Sequence, residues 1–164
     1  MTMKTTIADG PLKALMFAAA LLAGAAVQAA ELQVSEPWVA LAPPGAHATA
    51  GFMELHNPGD EPVDLVAADA DGFDAVELHR SVNENGMHRM IEQERITVPA
   101  GGSVRLAPGG YHVMLIGIQR ELAEGENVTL ELTLADGSRQ TVDAPVTPRG
   151  QAMGSHDSGH GHEH

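Results

Sequence analysis

Cysteine is absent from the 164-residue chain, and aromatic residues make up only 3% of it. Without thiols there is no disulfide scaffold, thiolate zinc site, iron–sulfur cluster or thiol catalysis, and no blue-copper centre, which needs a Cys ligand. Positive charge is scarce too: nine Lys and Arg stand against 22 Asp and Glu, a formal net charge of −13. Phosphate backbones are held by basic patches, so nucleic acid is excluded as a partner. No apolar run reaches the ~20 residues that a membrane span requires. What the chain holds in quantity is histidine, nine residues, and methionine, eight. Its 43% hydrophobic content suffices for a core, and its length fits one domain with extensions.

The first residues read as an address. Lys4 and Lys13 precede a run of small and apolar side chains from Ala14 to Ala26, and Val27-Gln28-Ala29 offers small residues at the two positions a signal peptidase reads. Residues 1–29 are therefore expected to be an export signal cut after Ala29, with the mature protein in the periplasm. Its removal leaves seven arginines, no lysine and 21 acidic residues, a net charge of −14. Such a surface attracts cations and basic partners. An oxidising compartment is hostile to free thiols, so a protein handling a soft metal there gains by doing without cysteine.

Residues 30–148 read as a single all-β domain, a sandwich or barrel. Short alternating or apolar runs occur at Thr49–His56, Val63–Ala67, Ala75–Val82, Met87–Glu92, Ser103–Leu106, His112–Ile118, Val128–Leu134 and Gln140–Val142. Turn sequences rich in Gly, Pro, Asn and Asp separate them, such as Asn57-Pro58-Gly59-Asp60, Asn83-Glu84-Asn85-Gly86 and Pro108-Gly109-Gly110. Arg120–Glu126 is the one place where a helical turn is expected. After Pro148 the character changes: residues 149–164 read as a flexible tail in which His156, His160, His162 and His164 are interleaved with Gly, Ser and acids. That composition cannot pack a core, but it can bind metal.

Two short segments bring imidazole beside thioether. If Val82 and Met87 close the first hairpin, His79 lies opposite Met90; if Asn85-Gly86 is a two-residue turn, the two become diagonal neighbours. Either register keeps them on one face. In the run Gly110-Tyr111-His112-Val113-Met114-Leu115, His112 and Met114 share a face because residues i and i+2 of a strand point the same way, while Val113 and Leu115 turn into the core. Were these strands to meet, His79, Met90, His112 and Met114 would form a two-His, two-Met cluster. Thioether sulfur is soft and uncharged and favours Cu(I) over zinc, magnesium or calcium. It yields to a stronger acceptor, so such a site holds copper and also releases it. Met53, between Phe52 and Leu55, reads as core filler, and His47 and His56 as surface or hydrogen-bonded residues. Met87 has the opposite parity and is expected to pack inward or cap the turn. His88 shares the face of Met90 and is an auxiliary candidate.

The spacing His79, ten residues, Met90, twenty-one residues, His112, one residue, Met114 resembles the motif of the periplasmic PCu(A)C copper chaperones. The segments Ile96-Thr97-Val98-Pro99-Ala100-Gly101-Gly102 and Leu106-Ala107-Pro108-Gly109-Gly110-Tyr111-His112, and Trp38 followed by Pro43-Pro44-Gly45, are similar to that family as well. The resemblance implies a cupredoxin-like Greek-key β-barrel binding one Cu(I) at an exposed rim. It also implies delivery of copper to the dinuclear centre of cytochrome c oxidase or to its assembly factors. A His-rich tail such as His156–His164 would recruit Cu(II). Family members often carry further Met residues where this chain has Ser81 and His88.

A metallochaperone, monomeric and without turnover, is the leading expectation. The alternative is a periplasmic protein that sequesters copper or zinc mainly through its tail. An enzyme is disfavoured, since no nucleophile–base pair or carboxylate dyad can be identified.

Overall fold

The computed structural model describes residues 30–152, which form ten strands and one helical turn. The strands are β1 (Gln33–Ala40), β2 (Ala48–His56), β3 (Val63–Ala70), β4 (Phe73–Glu84), β5 (Met87–Glu92), β6 (Ile96–Val98), β7 (Ser103–Leu106), β8 (Tyr111–Ile118), β9 (Asn127–Leu134) and β10 (Arg139–Thr147). They hydrogen-bond in the order β5-β4-β8-β7-β2-β1-β10-β9-β3-β6, with β8 also pairing β2. A parallel contact between β1 and β10 joins the half that contains β5, β4, β8, β7 and β2 to the half that contains β9, β3 and β6.

One core is shared by both halves, because alternate residues of each strand point into it. Met53 and Leu55 of β2, Leu78 of β4, and Val113 and Leu115 of β8 meet Leu65 of β3, Ile96 and Val98 of β6, Leu130, Leu132 and Leu134 of β9 and Ala144 and Val146 of β10. Met53 is core filler, as its neighbours imply. With Leu55, Leu65, Val113 and Leu115 at 0% exposure, truncating any of the three leucines to Ala costs about 2–5 kcal/mol.

Two strands escape a reading of the sequence. In β1, Glu36 adopts φ 49° and the pairing with β2 shifts between Ser35 and Trp38, so a bulge ahead of Pro37 breaks the alternation. β6 is only three residues long. The helical turn expected at Arg120–Glu126 does not form. That segment is a loop in which Ala123 N–H donates to the Glu126 carboxylate, Gly125 N–H donates to the Val146 carbonyl, and Arg120 pairs with Glu126. The helical turn lies instead at α1, Arg149–Ala152, the start of the expected tail. The export signal (1–29) and His156, His160, His162 and His164 lie outside the described residues, and none of the described helices is long and apolar enough to cross a membrane.

Candidate metal centre

The register of the β4–β5 hairpin follows from its turn. Asn85 (φ 54°) and Gly86 (φ 81°) both take positive φ, the type I′ conformation that Asn-Gly favours and that matches the twist of the flanking strands. Glu84 and Met87 therefore close the loop, and the four-residue alternative is corrected. Met90 lies opposite Ser81 and His79 opposite Glu92, so His79 and Met90 are diagonal neighbours on one face. Diagonal partners lie about 7–8 Å apart at the backbone, within reach of a long thioether.

On its other side β4 pairs with β8, and here His79 lies directly opposite His112 while Glu77 lies opposite Met114. The two imidazole centroids are 5.8 Å apart. The topology thus gathers the four residues around His79: His112 across the strand pair, Met90 and Met114 on its two diagonals. This face is opposite the core, since the intervening Leu78 and Val113 point inward.

Beneath His112 the same face carries a small apolar floor. Trp38 stacks on Phe52 at 4.6 Å, and the Phe52 ring is 6.3 Å from that of His112. Ala40 and Ala50 complete the floor, with Ala50 opposite Met114. His112 is consequently 2% exposed, whereas Met90 is 60% exposed. The cluster therefore combines two buried ring nitrogens with one thioether at the surface.

Each imidazole has one nitrogen committed and one free. The Ala107–Gly110 turn has Pro108 at its second position and Gly109 at φ 86°, closed by Gly110 N–H to the Ala107 carbonyl at 2.9 Å, the type II pattern. It delivers the Gly110 carbonyl to His112, whose Nδ1–H donates to it at 3.2 Å. His79 donates from Nε2 to the Glu77 carboxylate at 2.7 Å. The remaining nitrogens, His79 Nδ1 and His112 Nε2, are buried without a hydrogen-bond partner. Buried polar atoms are rarely left so, because desolvation without compensation costs about 1–3 kcal/mol. Metal-ligating histidines show this division, one nitrogen for the ion and the other donating to a carboxylate or carbonyl.

Burial lowers the pKa of His112, and only part of the shift is recovered through the bond to Gly110; the charges of His79 and Arg149 lower it further. The shift favours the neutral ring, the form that binds metal. Among the described residues no group of three or more His, Asp or Glu side chains is placed to hold a metal ion.

The other candidates fall outside this constellation. His88 lies opposite Asn83, four residues up the strand from the His79 position, or about 13 Å; it is exposed. Met87 is 65% exposed at the hairpin closure and does not pack inward. His56 bonds Ser103 Oγ at 3.1 Å and His47 is exposed. Glu77 was not among the sequence candidates, although it shares a strand face with His79 by the same i, i+2 rule that links His112 to Met114.

The family model described as “Putative lipoprotein LpqE-like” matches residues 32–146. The chain belongs to this LpqE-like, PCuAC family. It is 37% identical over 120 residues to “Putative lipoprotein Lxx21020” of Leifsonia xyli subsp. xyli (strain CTCB07), covering 73% of this chain and 71% of that one. Among solved structures, the PCuAC fold is shared with the solution structure of CuI-DR1885 from Deinococcus radiodurans, at 35% identity and a TM-score of 0.62, over 76% of this chain and 84% of that one. The copper-bound PCuAC domain from PmoF2 superposes with a TM-score of 0.62 at 24% identity, over 74% of this chain and 97% of that one. The cupredoxin-like all-β architecture expected of a PCuAC member is the one observed.

Proposed function

We propose that this PCuAC chain is an exported copper chaperone that holds one Cu(I) ion through His79, Met90, His112 and Met114 and passes it on by ligand exchange. The observation that carries this reading is the pair of buried, unpartnered nitrogens, His79 Nδ1 and His112 Nε2, on rings 5.8 Å apart on a face shared by two thioethers. Two imidazoles and two thioethers are a soft, uncharged donor set that suits a monovalent ion. The copper in CuI-DR1885 and in the PmoF2 domain supports it.

Release follows from the arrangement. Met90 is the exposed ligand and sits on β5, an edge strand of the sheet, so an acceptor reaches it before the histidines. Replacing a weak thioether first lets the ion change hands without ever being free. The acceptor proposed is the dinuclear copper centre of cytochrome c oxidase or one of its assembly factors, and the acidic surface would steer it toward a basic partner patch. The signal-like residues 1–29 and the lipoprotein name of the Leifsonia relative support export, with the periplasm as the site of action.

The second reading, sequestration of copper or zinc through the tail, is favoured by the four histidines within residues 156–164. Ending the chain after Ala152, which keeps the described fold whole, separates the two. A chaperone core keeps its Cu(I) affinity and its transfer, and only Cu(II) uptake falls; loss of all copper binding favours the tail.

A further inference from the structure

We propose that Glu77 is a positioning residue of the copper centre, fixing the tautomer and ring orientation of His79 so that Nδ1 faces the ion. The inference deepens the Cu(I) reading and rests on it. Glu77 and His79 are two apart on β4 and so share its outer face, and the carboxylate accepts the Nε2–H bond at 2.7 Å. A carboxylate only accepts, so in the neutral ring the proton belongs on Nε2 and the lone pair on Nδ1. In free histidine both tautomers are accessible. Here the choice is made before any ion arrives.

Three further features assign this role to Glu77. The pair is sheltered, with side-chain exposures of 14% for His79 and 35% for Glu77, so the bond is less exposed to competition from water than a surface contact. Glu77 also lies opposite Met114, so its charge flanks two of the four proposed ligands. Because the donor set is itself uncharged, a fixed negative charge beside it favours a monovalent cation without adding a hard oxygen ligand. Finally, the two histidines are oriented by different devices. His112 is fixed by the backbone carbonyl of Gly110, which side-chain substitution does not remove, whereas His79 depends on one replaceable side chain.

The test uses the full mature chain as wild type, Glu77→Ala and Glu77→Gln. Long-range proton–nitrogen NMR correlations on the copper-free proteins read the tautomer of each histidine. Competition with a chromophoric Cu(I) chelator at one fixed pH reads affinity. Wild type is expected to show His79 with its proton on Nε2 and His112 with its proton on Nδ1. In Glu77→Ala, His79 becomes a tautomer mixture while His112 is unchanged, and Cu(I) affinity falls by about 10–100-fold, the usual cost of losing such a partner. In Glu77→Gln the amide oxygen still accepts from Nε2–H, so the tautomer and most of the affinity return.

A wild-type His79 with its proton on Nδ1 would overturn the proposal. So would a Glu77→Ala protein whose His79 tautomer and Cu(I) affinity match wild type, and so would a loss equal in both variants. A wild-type protein that binds no Cu(I) overturns the copper reading instead, and the NMR arm, read without copper, tells that failure apart.

Discussion

His79 and His112 face each other directly across β4 and β8, rings 5.8 Å apart, each with one nitrogen engaged and one left bare in the interior. Three strands intervene between them in sequence, and β5 carries Met90 out and back on the way. The face they share is closed below by Trp38 and Phe52 and open toward the hairpin. In the proposed centre both nitrogens are buried and one sulfur is accessible, as a carrier that must also let go would require.

Met90 offers the cleanest separation of binding from folding. Because it is 60% exposed, Met90→Leu should change stability by no more than about 0.5 kcal/mol. The same change removes a sulfur and should weaken Cu(I) binding at least tenfold. Chemical denaturation alongside chelator competition checks both; unaltered affinity would remove Met90 from the ligand set.

The lowered pKa of His112 gives a pH dependence with a definite sign. The fold disfavours the protonated ring, so below the ordinary histidine value of ~6.5 the unfolded chain binds more protons than the native one. The contribution is fully present above that value and is lost as pH falls through it toward the folded pKa. Copper-free protein should therefore lose stability on acidification through this window. His112→Gln should flatten the decline, as followed by urea midpoints at several pH values.

How far could this be read from residues alone? Strand parity is enough to assign faces: Val113 and Leu115 turn into the core, His112 and Met114 share the opposite face, and His79 stays with Met90 whichever turn forms. Asn85-Gly86, a strong hairpin signal, decides the register once its positive φ values are seen. What local pattern could not supply is the pairing of β4 with β8, which depends on how the sheet closes over the core. β1 escaped because Pro37 and the Glu36 bulge interrupt its alternation, and Glu77 because a carboxylate beside a histidine is read first as surface charge.

The hairpin turn can be tested on its own. Gly86 has open space around it but φ 81°, so Gly86→Ala adds backbone strain without a clash. A cost of roughly 1 kcal/mol is expected, together with looser ordering of β5. Hydrogen exchange at the β4–β5 amides should rise while that of β9 and β10 stays unchanged.

Trp38 is the only tryptophan, and its ring sits one aromatic neighbour away from His112. Loading the centre should perturb its emission in proportion to copper bound, up to one equivalent. Copper confined to the tail would leave that emission unaltered in the chain ending at Ala152.

X-ray absorption at the copper edge of the Cu(I)-loaded protein lacking residues 153–164 bears most directly on the central claim. Two sulfur and two nitrogen neighbours are predicted, falling to one sulfur in Met90→Leu. A spectrum fitted by nitrogen and oxygen alone, or one that Met90→Leu leaves unchanged, would contradict it.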